Sequence, residues 1–282
     1  MDSPLTKDAA LTDPSLLVSN RYSEPTTIQK QQPVFVLVHG FSASTFEFEA
    51  FKSVMSKKDP DVLFSSVLLG GHGRDFEAFK SATYDDWFLP VYQEVSRLHA
   101  LGFQNIVLFG ASTGGAGVLH LLLNGAFDQV SIRHVFLIDP YIEPKNRMLY
   151  LAPWLKFIVR NTRSSSSELI EYQHWYTNRP AEALTQLIRF VKKVRSQLAL
   201  AKHLVLPPIT VFTAEFDPTS ATEGASIVEA SLEKSQVDVL RYPSNRHVII
   251  ESQTKKNWSE LDQANFNLII DTIYSKTQII KN

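Results

Sequence analysis

The sequence predicts an α/β protein: a mostly parallel central sheet flanked by helices, with a helical cap inserted after the fourth strand. Three observations carry that prediction. Short, β-rich apolar runs alternate with segments of helical periodicity, the pattern left by successive βαβ units. The alternation breaks once, between Tyr141 and Val205, and then resumes. All of the 11 glycines except Gly224 lie between Gly40 and Gly125, so the sharp turns and close backbone approaches belong to the first half.

Residues 1–31 are polar and contain Pro, Thr and Ser, which reads as a tail or an edge segment. Val34–Val38 is a continuous apolar run ending at His39-Gly40, as expected of a strand buried on both faces. Ser44–Met55 reads as a helix, and Val62–Leu69 as a strand followed by Gly70-Gly71-His72-Gly73. Asp85 and Asp86 are placed to cap a helix whose Trp87, Val91, Val95 and Leu98 fall on one face. From Leu98 to Phe127 the chain carries no Asp, Glu, Lys or Arg. That length suits a membrane span, but its many glycines, with Gln104, Asn105, Ser112 and Thr113, favour a buried strand, a glycine-rich turn and a buried helix. The strand is Ile106–Phe109 and the helix Gly115–Leu123. His134–Ile138 is the fourth strand and ends at Asp139-Pro140.

No strand pattern is evident from Tyr141 to Val205. One long amphipathic stretch presents Leu184, Leu187, Ile188, Val191, Val194 and Leu198 opposite Arg189, Lys192, Lys193 and Arg195. Ile209–Thr213 and Val237–Leu240 resume the strands, and Trp258–Ile280 closes with a helix. The expected organisation is an N-terminal segment at 1–31, a core built from 32–140 and 206–282, and a cap at 141–205.

Composition narrows the function. The 282 residues carry 28 Lys+Arg against 29 Asp+Glu, a net charge of −1, with no basic excess to neutralise phosphates. Nucleic acid and anionic membrane surfaces are therefore poor partners. Cysteine is absent, which excludes disulfides, thiolate metal sites, Fe–S clusters and a cysteine nucleophile. No His/Asp/Glu cluster has metal-ligand spacing, so no metal or cofactor is expected. Met1 to Asn20 carries Asp2, Lys7, Asp8 and Asp13 and has no apolar run, so it does not read as a signal peptide. The composition suits a cytoplasmic or an exported chain equally, and it carries no signal of oligomeric state.

The chemistry concentrates at Gly110-Ala111-Ser112-Thr113-Gly114, a G-x-S-x-G between a strand and a helix. A nucleophilic serine needs a tight, strained turn that lifts it clear of the sheet, and flanking glycines remove the Cβ atoms that would collide there. The helix that follows aims its N-terminal N–H groups and dipole at the reacting oxygen. Serine also needs a base, and the base an orienting carboxylate. Where these occur in the order Ser, acid, His, the last two sit in loops after later strands. Asp217 follows Ile209–Thr213, and His247 follows Val237–Leu240. Asp139 and Glu215 are the alternative acids. His39 and His72 sit at the same sheet edge and read chiefly as braces of turns, and His120 as a core residue. Backbone N–H groups of Thr113 and Phe41 are the candidate oxyanion donors, Phe41 also serving as an aromatic wall.

These residues resemble the serine carboxylesterase and monoacylglycerol lipase branch of the α/β-hydrolase superfamily. The matching pieces are Leu37-Val38-His39-Gly40-Phe41, Leu69 to Gly73, Tyr84-Asp85-Asp86-Trp87, Gly110 to Gly115, Asp217-Pro218 and His247-Val248. Tyr176 to Pro208 is similar to the family's return from cap to core. The sequence departs from the family at Leu69-Gly70-Gly71-His72-Gly73, where Pro-Gly-His-Gly is usual, and at Thr113, where a bulky residue is common. The strands that normally open the sheet are not evident. The resemblance implies the α/β-hydrolase fold and hydrolysis of carboxylic esters, short- to medium-chain acyl esters or monoacylglycerols, through an acyl-enzyme with Ser112, Asp217 and His247. Small ester or lipid substrates are the implied partners. Phe41, Trp154, Trp175 and Tyr176 are the candidate substrate-binding residues. Met148, Leu149, Leu151, Trp154, Leu155, Phe157 and Ile158 either roof an acyl tunnel or pack the cap onto the core. Lactone, thioester or C–C bond hydrolysis on the same triad, and a non-catalytic ligand-binding role, are the alternatives.

Overall fold

A computed structural model describes residues 22–155, 160–163, 174–251 and 255–281. Its strands are β1 (Pro33–Val38), β2 (Leu63–Val67), β3 (Asn105–Ala111), β4 (Ile132–Ile138), β5 (Asn161–Arg163), β6 (Asn178–Pro180), β7 (Ile209–Ala214) and β8 (Val237–Tyr242). Six of them form one sheet in the order β2-β1-β3-β4-β7-β8, and every neighbouring pair is parallel. The helices are α1 (Thr27–Gln31), α2 (Glu49–Lys58), α3 (Phe76–Ser81), α4 (Tyr84–Ala100), α5 (Thr113–Leu123), α6 (Ala152–Leu155), α7 (Ala181–Leu198), α8 (Glu223–Ser231) and α9 (Glu260–Lys281).

Strand β1 shows why its sequence is apolar throughout. Side chains alternate between faces, and here both faces are covered. Val34, Val36 and Val38 join the core beneath α4, α5, α7 and α8. Phe35 and Leu37 join the opposite core, with Phe51 and Met55 of α2 and Phe266, Ile269 and Ile273 of α9. Parallel register brings Val38 beside Gly110, Ala111 beside Ile138, and Ile138 beside Phe212. The loops after β1, β3, β4, β7 and β8 therefore emerge on one rim, where open α/β sheets bind ligands.

Several elements differ from expectation for local reasons. The described part of 1–31 forms α1, stabilised by a capping box between Thr26 and Gln29, rather than an extended edge. The helix expected at Ser44–Met55 opens as a 3₁₀ turn, Thr45–Phe48, and runs on to Lys58. Helix α4 is capped by Thr83: its side chain accepts from Asp86 N, and the Asp86 carboxylate accepts from Thr83 N at 2.9 Å. Asp86 is thus the reciprocal half of a capping box, not the cap itself. The segment after β4, expected to lack strands, contains β5 and β6, paired antiparallel. Three residues apiece, with β5 polar and exposed, leave no alternating pattern to read. Helix α7 buries the predicted stripe, Leu184 through Leu198. Phe157, Ile158, Ser164–Ser167 and the side chain of Leu155 lie outside the described residues. Among the described residues, no helix is long and apolar enough to cross a membrane.

Candidate active site

Ser112 stands between β3 and α5 with φ +49° and ψ −119°, a conformation a non-glycine residue adopts only when its surroundings hold it there. Two flanking glycines make that turn possible. A Cβ on Gly110 would lie 2.6 Å from the Cα of Gly115, and one on Gly114 would lie 2.1 Å from the carbonyl oxygen of Val38. Both neighbours are backbone and cannot swing aside. The Ser112 amide donates to Ile138 O at 2.9 Å, and its carbonyl accepts from Tyr141 N at 3.0 Å, which ties the turn to the end of β4.

His247 Nε2 lies 2.8 Å from Ser112 Oγ, and His247 Nδ1 lies 2.7 Å from Asp217 Oδ2. The other Asp217 oxygen accepts from Thr219 N at 2.6 Å and Ser220 N at 2.9 Å, a local turn that aims the carboxylate at the ring. Asp217 is 1% exposed and Ser112 7%. Burial pulls the imidazole down, but the charge and hydrogen bond of Asp217, with Asp139 and Glu251 behind it, outweigh that and leave His247 above its ordinary value. The three residues sit on three different strand-end loops, and the geometry brings them into one hydrogen-bonded line.

The alternatives separate clearly. Glu215 is exposed. Asp139 points its oxygens at Ala214 N, Tyr242 OH and Val248 N instead of at the ring nitrogen. His39 accepts from Leu69 N at 3.1 Å through Nε2 and donates through Nδ1 to Gly40 O at 2.9 Å. Burial, with His72 adding to it, pushes His39 down to about 3, and burial pushes His72 down to about 4, so both are neutral turn braces. His120 faces Gln197 of α7 at 2.8 Å.

A cavity of about 390 Å³ opens over Ser112 and His247. Phe41 and Thr113 line it beside the serine, and Trp175 and Tyr176 line it from the stretch just before β6. Tyr176 also braces the rim: its amide donates to Ser42 O at 2.8 Å, and its hydroxyl accepts from Arg74 N at 3.0 Å. Trp154 corrects the expectation. It is 76% exposed on the short helix α6 and is not among the residues that line the cavity. Met148 and Leu151 are likewise exposed, whereas Leu149 does line it.

Sequence reasoning missed several lining residues. Leu184 and Leu187 belong to the apolar stripe of α7, but the pattern does not say that part of the stripe faces a cavity. Glu47, Glu251 and Lys255 form a polar wall. Glu47 is buried and its carboxylate accepts from Gly40 N at 2.7 Å, directly under the loop that carries Phe41. Lys255 pairs with Glu251 at 2.8 Å. The four-residue spacing of Glu251 and Lys255 is visible in the sequence; the approach of Glu47 is not.

Comparisons with known proteins bear on the fold. The family model for the alpha/beta hydrolase fold matches residues 78–251. A carboxylesterase of Bacillus subtilis is 21% identical over 230 residues, covering 80% of this chain and 89% of that protein. Among solved structures, a soluble variant of monoglyceride lipase from Saccharomyces cerevisiae superposes with a TM-score of 0.67 at 14% identity, over 89% of this chain and 87% of that one. The monoacylglycerol lipase of Paleococcus ferrophilus gives 0.66 at 14% identity, over 87% and 96%.

Proposed function

Because the chain belongs to the alpha/beta hydrolase fold family, we propose that it is a serine esterase that cleaves carboxylic esters through an acyl-enzyme. The observation that carries this reading is the unbroken relay from Ser112 Oγ through His247 to Asp217, at 2.8 and 2.7 Å. In this reading Nδ1 carries its proton toward the Asp217 carboxylate, which leaves Nε2 free to accept from the Ser112 hydroxyl. As Ser112 attacks the ester carbonyl, its proton passes to Nε2. Asp217 stabilises the imidazolium without taking the proton. The tetrahedral oxyanion is held by the backbone N–H groups of Phe41 and Thr113, where loss of one donor typically costs about 3–4 kcal/mol of barrier. The imidazolium returns its proton to the leaving alcohol, and the acyl group stays on Ser112. Water then repeats the sequence, giving up its proton to His247 and releasing the acid.

The substrate reading rests on the cavity. Its volume, with Phe41, Leu149, Leu184 and Leu187 on its walls, suits a short- to medium-chain acyl group. The carboxylesterase and monoglyceride lipase among the similar proteins support esters over amides or phosphates. In this reading residues 141–205 form the cap over the core at 32–140 and 206–282. Hydrolysis of 4-nitrophenyl esters and monoacylglycerols of graded acyl length, compared with Ser112→Ala, tests the proposal. The parent is expected to turn over the shorter esters, and the variant to lose at least about 1,000-fold in kcat. Equal turnover by the two proteins would end this reading.

A further inference from the structure

Behind the relay lies a second buried carboxylate that the chemistry above does not use. Asp139 directly follows β4, the strand between the serine strand β3 and the acid strand β7. It is 1% exposed and held at φ +44°. One oxygen accepts from Ala214 N at 2.8 Å, at the end of β7 and three residues before Asp217. The other accepts from Tyr242 OH at 2.9 Å, at the end of β8, and from Val248 N at 2.9 Å. Val248 is the residue after His247 and itself has φ +56°. The Asp139 main chain adds a bond from its N–H to Phe212 O at 2.8 Å and accepts from Ser220 Oγ at 3.4 Å. One carboxylate oxygen each of Asp139 and Asp217 and one ring nitrogen of His247 lie within 4.8 Å of one another.

We propose that Asp139 is a positioning residue for the Ser112–His247–Asp217 relay, a buried clamp that joins the strand ends on which Asp217 and His247 ride. The inference rests on the esterase reading above. Its physical content is geometric. Three donors from two neighbouring strand ends and the histidine loop converge on one carboxylate, which has acceptor sites for all of them. A carboxamide has only one oxygen, and its NH₂ group would face at least one donor. The two backbone donors lie close in sequence to Asp217 and His247, so a lost bond moves the relay rather than a distant surface. The charge matters as well. The titratable groups facing Asp139 are Asp217, His247 and the Tyr242 hydroxyl. Burial, then the Asp217 charge, push Asp139 up to about 6, against the pull of His247 and the two amides. The ionised clamp sets a second negative charge near the imidazolium formed during turnover.

Asp139→Asn, Tyr242→Phe and Ser112→Ala, assayed on 4-nitrophenyl butyrate across pH beside thermal melts, test the proposal. Asp139→Asn is expected to lose about 10- to 100-fold in kcat with KM within about twofold, and to move the acid limb of kcat/KM to lower pH. Tyr242→Phe keeps the carboxylate, removes one donor and is expected to lose about threefold or more in kcat, but less than Asp139→Asn. Parental kcat and an unmoved acid limb in folded Asp139→Asn would overturn the clamp, whatever happens to its melting temperature. Should Asp139→Asn not fold, Tyr242→Phe decides alone, with unchanged kcat counting against the proposal. Activity retained by Ser112→Ala would instead remove the reading on which the clamp rests.

Discussion

Glu47 lies under the Gly40 amide with Glu251 and Lys255 beside it, in the wall of the cavity that holds Ser112. Burial, then the charge and hydrogen bond of Glu251, push its carboxyl well above the ordinary range, against the Gly40 amide and Lys255. The folded chain therefore binds this proton more tightly than the unfolded chain. Protonation at this site favours folding, so its contribution falls as pH rises from the ordinary carboxylate range through the raised value. Glu47→Gln keeps an acceptor for Gly40 and a donor for Glu251 without an ionisable group. Thermal melts from about pH 5 to about pH 9 are expected to show a shallower alkaline decline for the variant than for the parent. Parallel curves would contradict this account of Glu47. In the sequence Glu47 looks like a solvated charge on a helix, because its partner lies near the far end of the chain. The meeting of Ser112, Asp217 and His247 was legible because each stands in a loop that follows a strand of the sheet.

At the scale of elements, the elbow and α7 behave differently. The elbow was readable because Gly110 and Gly114 serve a steric need that leaves glycine in the sequence. Helix α7 was readable as a helix, but its division of labour was not. One apolar stripe both packs against α5 and contributes Leu184 and Leu187 to the cavity. Periodicity reports burial and does not separate protein neighbours from a substrate-sized space. Leu187→Ala is expected to destabilise the fold by about 2–5 kcal/mol. It should also shift the preferred acyl chain towards greater length in a nitrophenyl ester series. An unchanged chain-length optimum would place the acyl group away from α7. The β5–β6 ribbon stayed hidden because backbone pairing over three residues leaves no side-chain pattern, and Trp154 misled because a large apolar residue on a short helix can face outward.

For the whole molecule, parallel register turns distant residues into neighbours. Two apolar cores clamp the sheet from both faces, so the strand ends hold a common rim. Ser112 and His247 are 135 residues apart in the chain yet meet across 2.8 Å. For the proposed reaction a shared rim of this kind suits a relay set before the substrate arrives, since catalytic groups displaced by about 1 Å can lose roughly 100-fold. The fold class was legible because the inner strands β1, β3 and β7 carry short, continuous apolar stretches between segments of helical periodicity. The strand order was not, because crossover connections leave no mark in periodicity. The most direct test is peptide mass spectrometry of protein quenched with acid during turnover of 4-nitrophenyl butyrate. The expected result is a butyryl adduct confined to the peptide containing Ser112 and absent from Ser112→Ala. Turnover with no adduct on that peptide, at a rate the Ser112→Ala variant matches, would contradict it.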